Sequence, residues 1–190
     1  MKIYAVYVAL PIVCFVISCS TAYKISHSSE EFMPLSVGNK WYYETAENSK
    51  MIKEVVSQDS IDGNMYYRIS YTKFSQDSIP SNTFYLHERF DSDTLFVLQF
   101  SKYDDNWFES IQAIYSLEEN EIVKYKNRQK SYGNIRVRGF NNLKVIEKSD
   151  EEINFNLYGD HYNYVMTYKK GIGLIYDSSW GIKLIDCNIK

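Results

Sequence analysis

The sequence is poor in cysteine, proline and glycine, and it has no large excess of charge of one sign. It has 190 residues with three cysteines, three prolines and eight glycines, and its formal net charge is −3. Residues 1–18 contain one charged side chain, Lys2, so the rest of the chain has 20 basic against 24 acidic residues, a net charge of −4. Nucleic-acid-binding domains present a strongly basic surface. We therefore expect no nucleic-acid partner.

The chain has one long apolar run, and this run is too short to span a bilayer. It extends from Ile3 to Ile17, about 15 residues against the roughly 20 of a transmembrane helix, and it follows Lys2. A basic residue before a short apolar core is typical of a secretory signal peptide. The run leads into Val16-Ile17-Ser18-Cys19, which matches the bacterial lipobox: an aliphatic residue three positions before the cysteine and a small residue directly before it. We therefore predict that residues 1–18 are a lipoprotein signal peptide and that Cys19 is lipidated.

Two alternatives to lipidation remain open. An ordinary secretory peptide could be cut near Ser20-Thr21-Ala22, or the apolar run could stay as an uncleaved anchor. Cys14 is a poor rival for Cys19, because the bulky Val13 stands directly before it. Each buried methylene contributes about 0.8 kcal/mol to membrane binding, so the two or more acyl chains of a lipoprotein form a durable anchor.

The chain after the signal divides into a short stalk and one domain. Residues 19–31 are polar and rich in serine, which predicts a flexible stalk, and residues 32–190 are long enough for a single domain with its own core. Ser20 is not the aspartate that retains lipoproteins in the inner membrane of enteric bacteria, so we expect the outer membrane, on its periplasmic or outer face. Lipidation would leave Cys187 as the remaining thiol, so we expect no intramolecular disulfide and a buried, unreactive cysteine.

Aromatic residues are abundant and favour strands. The chain has 18 Tyr, 10 Phe and 3 Trp, and short breaks marked by Gly, Asn or Asp separate its aromatic and aliphatic runs. The predicted strands are Asn39–Thr45, Met51–Gln58, Met65–Tyr71, Thr83–Glu88, Thr94–Phe100, Leu143–Glu147, Ile153–Tyr158, Tyr162–Lys169, Gly171–Tyr176 and Gly181–Ile189. The fold class is therefore all-β: an antiparallel up-and-down meander forming a strongly curved sheet, a half-barrel or a barrel.

One segment is compatible with two kinds of element. Trp107, Ile111, Ile114 and Tyr115 fall at helical spacing, and a preceding aspartate could cap a helix there. The same residues are equally compatible with another strand. The sequence thus leaves open whether one short helix covers the sheet.

The two ends of the domain resemble a known group of proteins. Pro34-Leu35, Gly38-Asn39, Trp41 and Tyr43 form a PLxxGNxWxY segment, and Gly171-Ile172-Gly173-Leu174 forms a GxGL strand before the last strand. These motifs are similar to those of a set of uncharacterised lipoproteins common in Bacteroidetes. The resemblance implies a secreted, lipid-anchored β domain. It implies no activity, because no catalytic residue belongs to the pattern.

No cluster of reactive residues specifies an enzyme. The three histidines, His27, His87 and His161, have no metal-ligand spacing, and no Gly-x-Ser-x-Gly elbow or phosphate-binding glycine loop occurs. Paired acids such as Asp91-Ser92-Asp93 lie at predicted turns or element ends, where acids are common for solubility. We expect no catalytic residue, no metal and no cofactor.

Tyrosines on the predicted strands are the only candidates for a ligand site. Aromatic side chains on a sheet face can stack on sugar rings or line a pocket, although many of them form cross-strand pairs. The candidate ligand-binding residues are Tyr66, Tyr71, Tyr162 and Tyr164.

These observations favour a non-catalytic, lipid-anchored envelope protein with a binding or structural β domain. Its expected partners are the membrane, through the lipid, and an apolar or glycan ligand. One alternative is a carrier whose curved sheet encloses a hydrophobic ligand, as in lipocalin-like or lipoprotein-carrier-like folds. A second alternative is a carbohydrate-binding surface lipoprotein with an exposed aromatic platform. The sequence specifies no oligomeric state.

Overall fold

The described part of the chain folds into twelve antiparallel strands. The computed structural model describes residues 32–101, 106–130, 135–159 and 162–190. The predicted signal peptide, Cys19, the stalk at 19–31 and His161 lie outside these residues. The strands are β1 (Lys40–Thr45), β2 (Lys50–Ile61), β3 (Asn64–Phe74), β4 (Pro80–Asp91), β5 (Thr94–Ser101), β6 (Asn106–Ile114), β7 (Ile122–Lys130), β8 (Ile135–Lys148), β9 (Glu152–Gly159), β10 (Tyr162–Lys169), β11 (Gly173–Asp177) and β12 (Ile182–Asn188).

The sheet closes into a barrel. Each strand pairs with its neighbour in sequence, and β1 also pairs with β12, so that Trp41 lies opposite Cys187 and Tyr43 opposite Leu184. Closure of an antiparallel sheet removes the free edges that would otherwise template aggregation. The predicted all-β meander is therefore confirmed, and of the three curved forms left open the structure is the barrel.

The turn between β2 and β3 has the conformation that its residues favour. β2 ends at Ile61 and β3 begins at Asn64, so the connection is Asp62-Gly63, and both residues have positive φ, 51° and 78°. Two consecutive residues in this region form the tight turn whose twist matches that of the flanking strands, and Asp-Gly is among its preferred pairs. Asp62-Gly63 therefore forms the tight turn of this hairpin.

Of the two elements left open for the segment that includes Trp107, Ile111 and Ile114, the structure forms the strand, β6, and not the covering helix. Trp107 lies opposite Phe100, Ile111 opposite Phe96 and Ile114 opposite Thr94. A register shift beside Phe96 breaks the simple alternation, which is why the apolar spacing imitated a helix. Tertiary pairing decides the matter, since a helix here would leave the edges of β5 and β7 without partners.

Strand β7 and the first half of β8 were not predicted. The β7 sequence, Ile122–Lys130, contains six residues of the Lys, Arg, Asn and Gln types, which are poor indicators of a half-buried strand. It nevertheless pairs with β8 from Ile122 opposite Lys144 to Lys130 opposite Ile135. Hydrogen bonding to β8 therefore makes this segment a strand in spite of its composition.

Large side chains from alternate strand positions fill much of the barrel. Trp41 and Tyr43 of β1 and Met51 and Val55 of β2 are fully buried. Phe32, which precedes the barrel, is buried in the same core, where its ring stacks on Tyr115 at 5.1 Å between centroids. These side chains pack the barrel interior around Trp41 and Phe32.

Candidate functional site

A polar cavity of about 190 Å³ lies inside the barrel. Strands from both halves of the chain line it, together with the turn between β11 and β12. The lining residues are Lys53, Tyr71, Leu86, Glu88, Val97, Ser110, Gln112, Tyr164, Tyr168, Leu174, Asp177, Ser179, Trp180 and Ile182. Three of these side chains carry formal charge. That is unusual for the inside of a small barrel, which apolar side chains ordinarily fill.

Lys53 and Glu88 form a buried ion pair at the centre of this lining. They come from β2 and β4, are 2% and 3% exposed, and the Lys53 ammonium donates to both Glu88 carboxylate oxygens at 2.9 Å. The Tyr71 hydroxyl, from β3 between them, donates to Glu88 Oε1 at 2.9 Å. The ammonium also lies 5.3 Å from the centroid of the Trp41 ring. Both oxygens of the Glu88 carboxylate are therefore engaged by neighbouring donors.

Asp177 is the second carboxylate of the cavity and has a different environment. It ends β11, is 5% exposed, and its Oδ1 accepts hydrogen bonds from the Ser179 backbone N–H at 2.8 Å and from the Ser179 hydroxyl at 2.6 Å. The Trp180 backbone N–H also donates to this carboxylate. The turn thus directs hydrogen-bond donors at the Asp177 carboxylate and fixes its position.

Burial acts in opposite directions on the charged groups. It lowers the pKa of Lys53, against the attraction of the Glu88 carboxylate, because a low-dielectric interior disfavours the charged form. It raises the pKa of Asp177 above 3.8, against the Ser179 and Trp180 hydrogen bonds and the Lys53 charge. It also raises the pKa of Tyr71 well above 10.0, with Glu88 adding to the effect, so the Tyr71 hydroxyl stays protonated.

Aromatic rings form the wall beside Asp177. Trp180, half-buried in the β11–β12 turn, lies 5.1 Å from the Tyr71 ring and 5.2 Å from the Phe84 ring. Tyr164 and Tyr168 project from β10 on the other side of the lining. Ser179 is exposed, so the cavity approaches solvent at this turn.

The structure brings together some of the four candidate tyrosines. Tyr71 and Tyr164 line the cavity, and Tyr162 packs on Tyr164 with 5.6 Å between ring centroids. Tyr66 is elsewhere: its backbone position places it on the face of β3 opposite to Tyr71. A ligand role for these tyrosines stays a prediction, and they do not share one exposed platform, since Tyr66 is fully buried and Tyr71 is 5% exposed.

Tyr66 belongs to a polar cluster on the outward-facing side of β3, β4 and β6. Its hydroxyl donates to Glu109 at 2.6 Å, and Arg89 donates to both oxygens of the same carboxylate, at 2.9 and 3.2 Å. Next to it, His87 Nε2 lies 3.0 Å from the Asp59 carboxylate. These contacts tie neighbouring strands together, and the other ring nitrogen of His87, the buried Nδ1, has no hydrogen-bond partner among the described residues.

The three charged residues of the cavity were not among the predicted site residues, although two of them carried a signal in the sequence. Lys53 shares an inward face of β2 with Met51 and Val55, so a lysine interrupts an otherwise apolar alternation. Glu88 likewise lies between two apolar residues, Leu86 and Phe90, on the inward face of β4. Asp177 carried no such signal, because an aspartate before Ser-Ser is equally typical of an ordinary turn.

The described residues contain neither a metal cluster nor a membrane-spanning helix. Within residues 32–101, 106–130, 135–159 and 162–190, no three His, Cys, Asp or Glu side chains are arranged to hold a metal ion. No helix in this part of the chain has the length and apolar character needed to cross a bilayer.

Comparison with known proteins gives one structural similarity. No described protein family matches the chain, and no curated protein matches it. Among solved structures, the fold is similar to that of a candidate lipoprotein from Parabacteroides distasonis, with 11% sequence identity and a TM-score of 0.41. The similarity covers 83% of this chain and 98% of the other. The PLxxGNxWxY and GxGL resemblance is not shown by this comparison and stays a prediction.

Proposed function

We propose that this chain is a non-catalytic, lipid-anchored protein of the bacterial outer membrane that binds a small polar ligand inside its barrel. The observation that carries the binding function is the cavity of about 190 Å³ with fixed polar groups on its wall. Ligand sites are typically concave and contain a few precisely oriented polar groups. The anchor rests on the lipobox, in which Cys19 follows Ser18.

The size and polarity of the cavity favour this proposal over a carrier of hydrophobic ligands. Pockets for drug-sized ligands measure roughly 300–1,000 Å³, and an engineered cavity of about 150 Å³ holds one benzene molecule. A cavity of about 190 Å³ therefore suits a ligand of roughly six to eight heavy atoms. An apolar guest would also face the charged groups of Lys53, Glu88 and Asp177, and contact between a charged group and an apolar guest is energetically costly.

The arrangement of the carboxylates favours binding over catalysis. Acid–base hydrolysis of the glycosidase type needs two carboxyl groups in different protonation states, both free to reach the substrate. Here Lys53 engages both oxygens of Glu88, so Asp177 alone has capacity for a guest. An aromatic platform for carbohydrate has less support, because Tyr66 and Tyr71 are buried.

Two experiments test the anchor and the binding separately. Metabolic labelling with palmitate should mark the wild-type protein and leave Cys19→Ser unmarked, and Cys19→Ser should move from the membrane to the soluble fraction. Equal labelling or unchanged membrane partitioning of Cys19→Ser would refute the anchor.

For binding, a panel of polar compounds of about eight heavy atoms or fewer should contain some that raise the melting temperature of wild type. Ser110 lines the cavity, so Ser110→Leu should fill it and abolish these shifts. Ser60→Leu, an exposed position on β2, is the matched control and should keep them. Shifts that survive in Ser110→Leu would place binding outside the cavity and contradict the proposal.

A further inference from the structure

The charges in the cavity do not balance. Its lining contains one ammonium, Lys53, and two carboxylates, Glu88 and Asp177, all of them at most 5% exposed. Lys53 already donates twice to Glu88, so that pair is locally neutral. Buried charges in proteins are ordinarily paired, because an isolated ion in the interior is costly. Asp177 is therefore the charged group that lacks a close counter-ion.

The turn around Asp177 is built for the ionised form of its carboxylate. Two of its hydrogen-bond partners, the backbone N–H groups of Ser179 and Trp180, can only donate. Such donors stabilise a carboxylate and offer nothing to the proton of a carboxylic acid. These hydrogen bonds thus favour the ionised carboxylate at the cavity wall, against the burial that raises its pKa.

Groups suited to a cation surround this charge. The Trp180 ring forms part of the wall, and Trp is the most favourable partner in cation–π contacts. Tyr168 is 2% exposed and lines the same cavity. A tyrosine hydroxyl can both donate and accept a hydrogen bond with a guest.

We propose that the cavity binds a small organic cation, a primary ammonium of roughly six to eight heavy atoms or fewer, with Asp177 as its counter-ion and Trp180 as its aromatic wall. This inference rests on the proposed function, because it names the ligand class of the same cavity. A bare metal ion fits less well, since Mg²⁺ and Ca²⁺ take about six to eight oxygen ligands. An anion is disfavoured because Glu88 already neutralises Lys53.

The test compares matched ligands by isothermal titration calorimetry on the full chain in a mild detergent. n-Butylammonium and n-butanol have the same number of heavy atoms and differ in charge, and n-butyrate has the opposite charge. Butylammonium should bind at least about tenfold more tightly than butanol, and butyrate should not bind, as expected from pairing one charge in a partly desolvated site. Equal affinity for butylammonium and butanol would overturn the inference, as would tighter binding of butyrate, Na⁺ or Ca²⁺.

A pair of variants tests the named counter-ion. Asp177→Asn keeps the shape of the side chain and should weaken butylammonium binding at least about tenfold while leaving butanol unchanged. Asp150→Asn makes the same change at an exposed position and should have no effect. Undiminished butylammonium binding by a folded Asp177→Asn protein would overturn the inference.

Two further results separate this inference from the proposed function. If Asp177→Asn does not fold, Trp180→Leu replaces it, and unchanged selectivity for ammonium over alcohol in Trp180→Leu contradicts the assigned aromatic wall. If butanol or butyrate binds better than butylammonium and Ser110→Leu abolishes that binding, the cavity is a ligand site of another class. That outcome would overturn the inference and leave the proposed function intact.

Discussion

Removal of one partner from the buried ion pair should destabilise the protein strongly. Lys53→Met takes away the ammonium that donates twice to Glu88. It leaves a carboxylate that is 3% exposed and that keeps, within the described residues, the hydrogen bond from the Tyr71 hydroxyl. Breaking a buried pair on one side typically costs about 3–5 kcal/mol. For a domain of this size that is a fall in melting temperature of roughly 6–20 °C.

The matched control is the exposed pair between the adjacent strands β1 and β2. Lys40 and Glu54 are 3.1 Å apart, and their side chains are 38% and 32% exposed. Lys40→Met should therefore cost about 1 kcal/mol or less. Replacement of all three buried partners in Lys53→Met/Glu88→Leu/Tyr71→Phe should restore most of the lost stability, because an apolar set of similar volume leaves none of these three groups unpaired.

Urea unfolding followed by tryptophan fluorescence measures all four proteins. The free energy of unfolding of the triple variant should be close to that of wild type, and that of Lys40→Met should be equal to wild type or slightly lower. The free energy of unfolding of Lys53→Met should be about 3–5 kcal/mol below that of wild type. The reasoning is refuted if Lys53→Met is no less stable than Lys40→Met. It is also refuted if the triple variant is as unstable as Lys53→Met.

Three other changes have definite expected results. Gly173→Ala should destabilise the protein by about 1–3 kcal/mol more than Gly171→Ala in urea unfolding. Both glycines have positive φ, but a Cβ added at Gly173 would lie 2.7 Å from Met33 Sδ, whereas a Cβ added at Gly171 would have no atom within 4 Å. Equal losses of stability in the two variants would contradict this. Tyr43→Phe should cost about 1–3 kcal/mol, because it removes the 2.9 Å hydrogen bond to a buried β11 carbonyl, and a loss near zero would show that water replaces it. Because the folded-state pKa of Asp177 is raised above 3.8, wild type should lose stability relative to Asp177→Asn as pH rises through that raised pKa. Urea titrations of both proteins at about pH 4.5 and about pH 7 measure the difference in their free energies of unfolding. A gain in the relative stability of wild type between these pH values would contradict the prediction.

Ten of the twelve strands were predictable from local pattern. Alternation of apolar and polar residues, together with turn residues such as Asp62-Gly63, marks most hairpins directly. The failures share one physical cause. Ile122–Lys130 has weak strand propensity and Asn106–Ile114 has misleading spacing, so pairing with neighbouring strands, and not local preference, decides both.

The candidate site was less predictable than the fold, although its tyrosines were partly identified. Tyr71 and Tyr164 were proposed as ligand contacts, and they do line one cavity. Nothing in the sequence indicates that Lys53 and Glu88, which are 35 positions apart, form one ion pair. Asp177 joins them only because β11 lies beside β12, which closes the barrel against β1.

The amino-acid sequence by itself predicts a lipobox and a single domain, and it determines a succession of antiparallel strands, because these features depend on hydrophobic length, composition and alternation over a few residues. The tertiary structure decides that the sheet closes and that three inward charges meet in one small cavity with one carboxylate left over. Local patterns specify which face of a strand turns inward. Which inward residues then face one another depends on register and closure across the whole barrel, and that information exists only in the assembled fold.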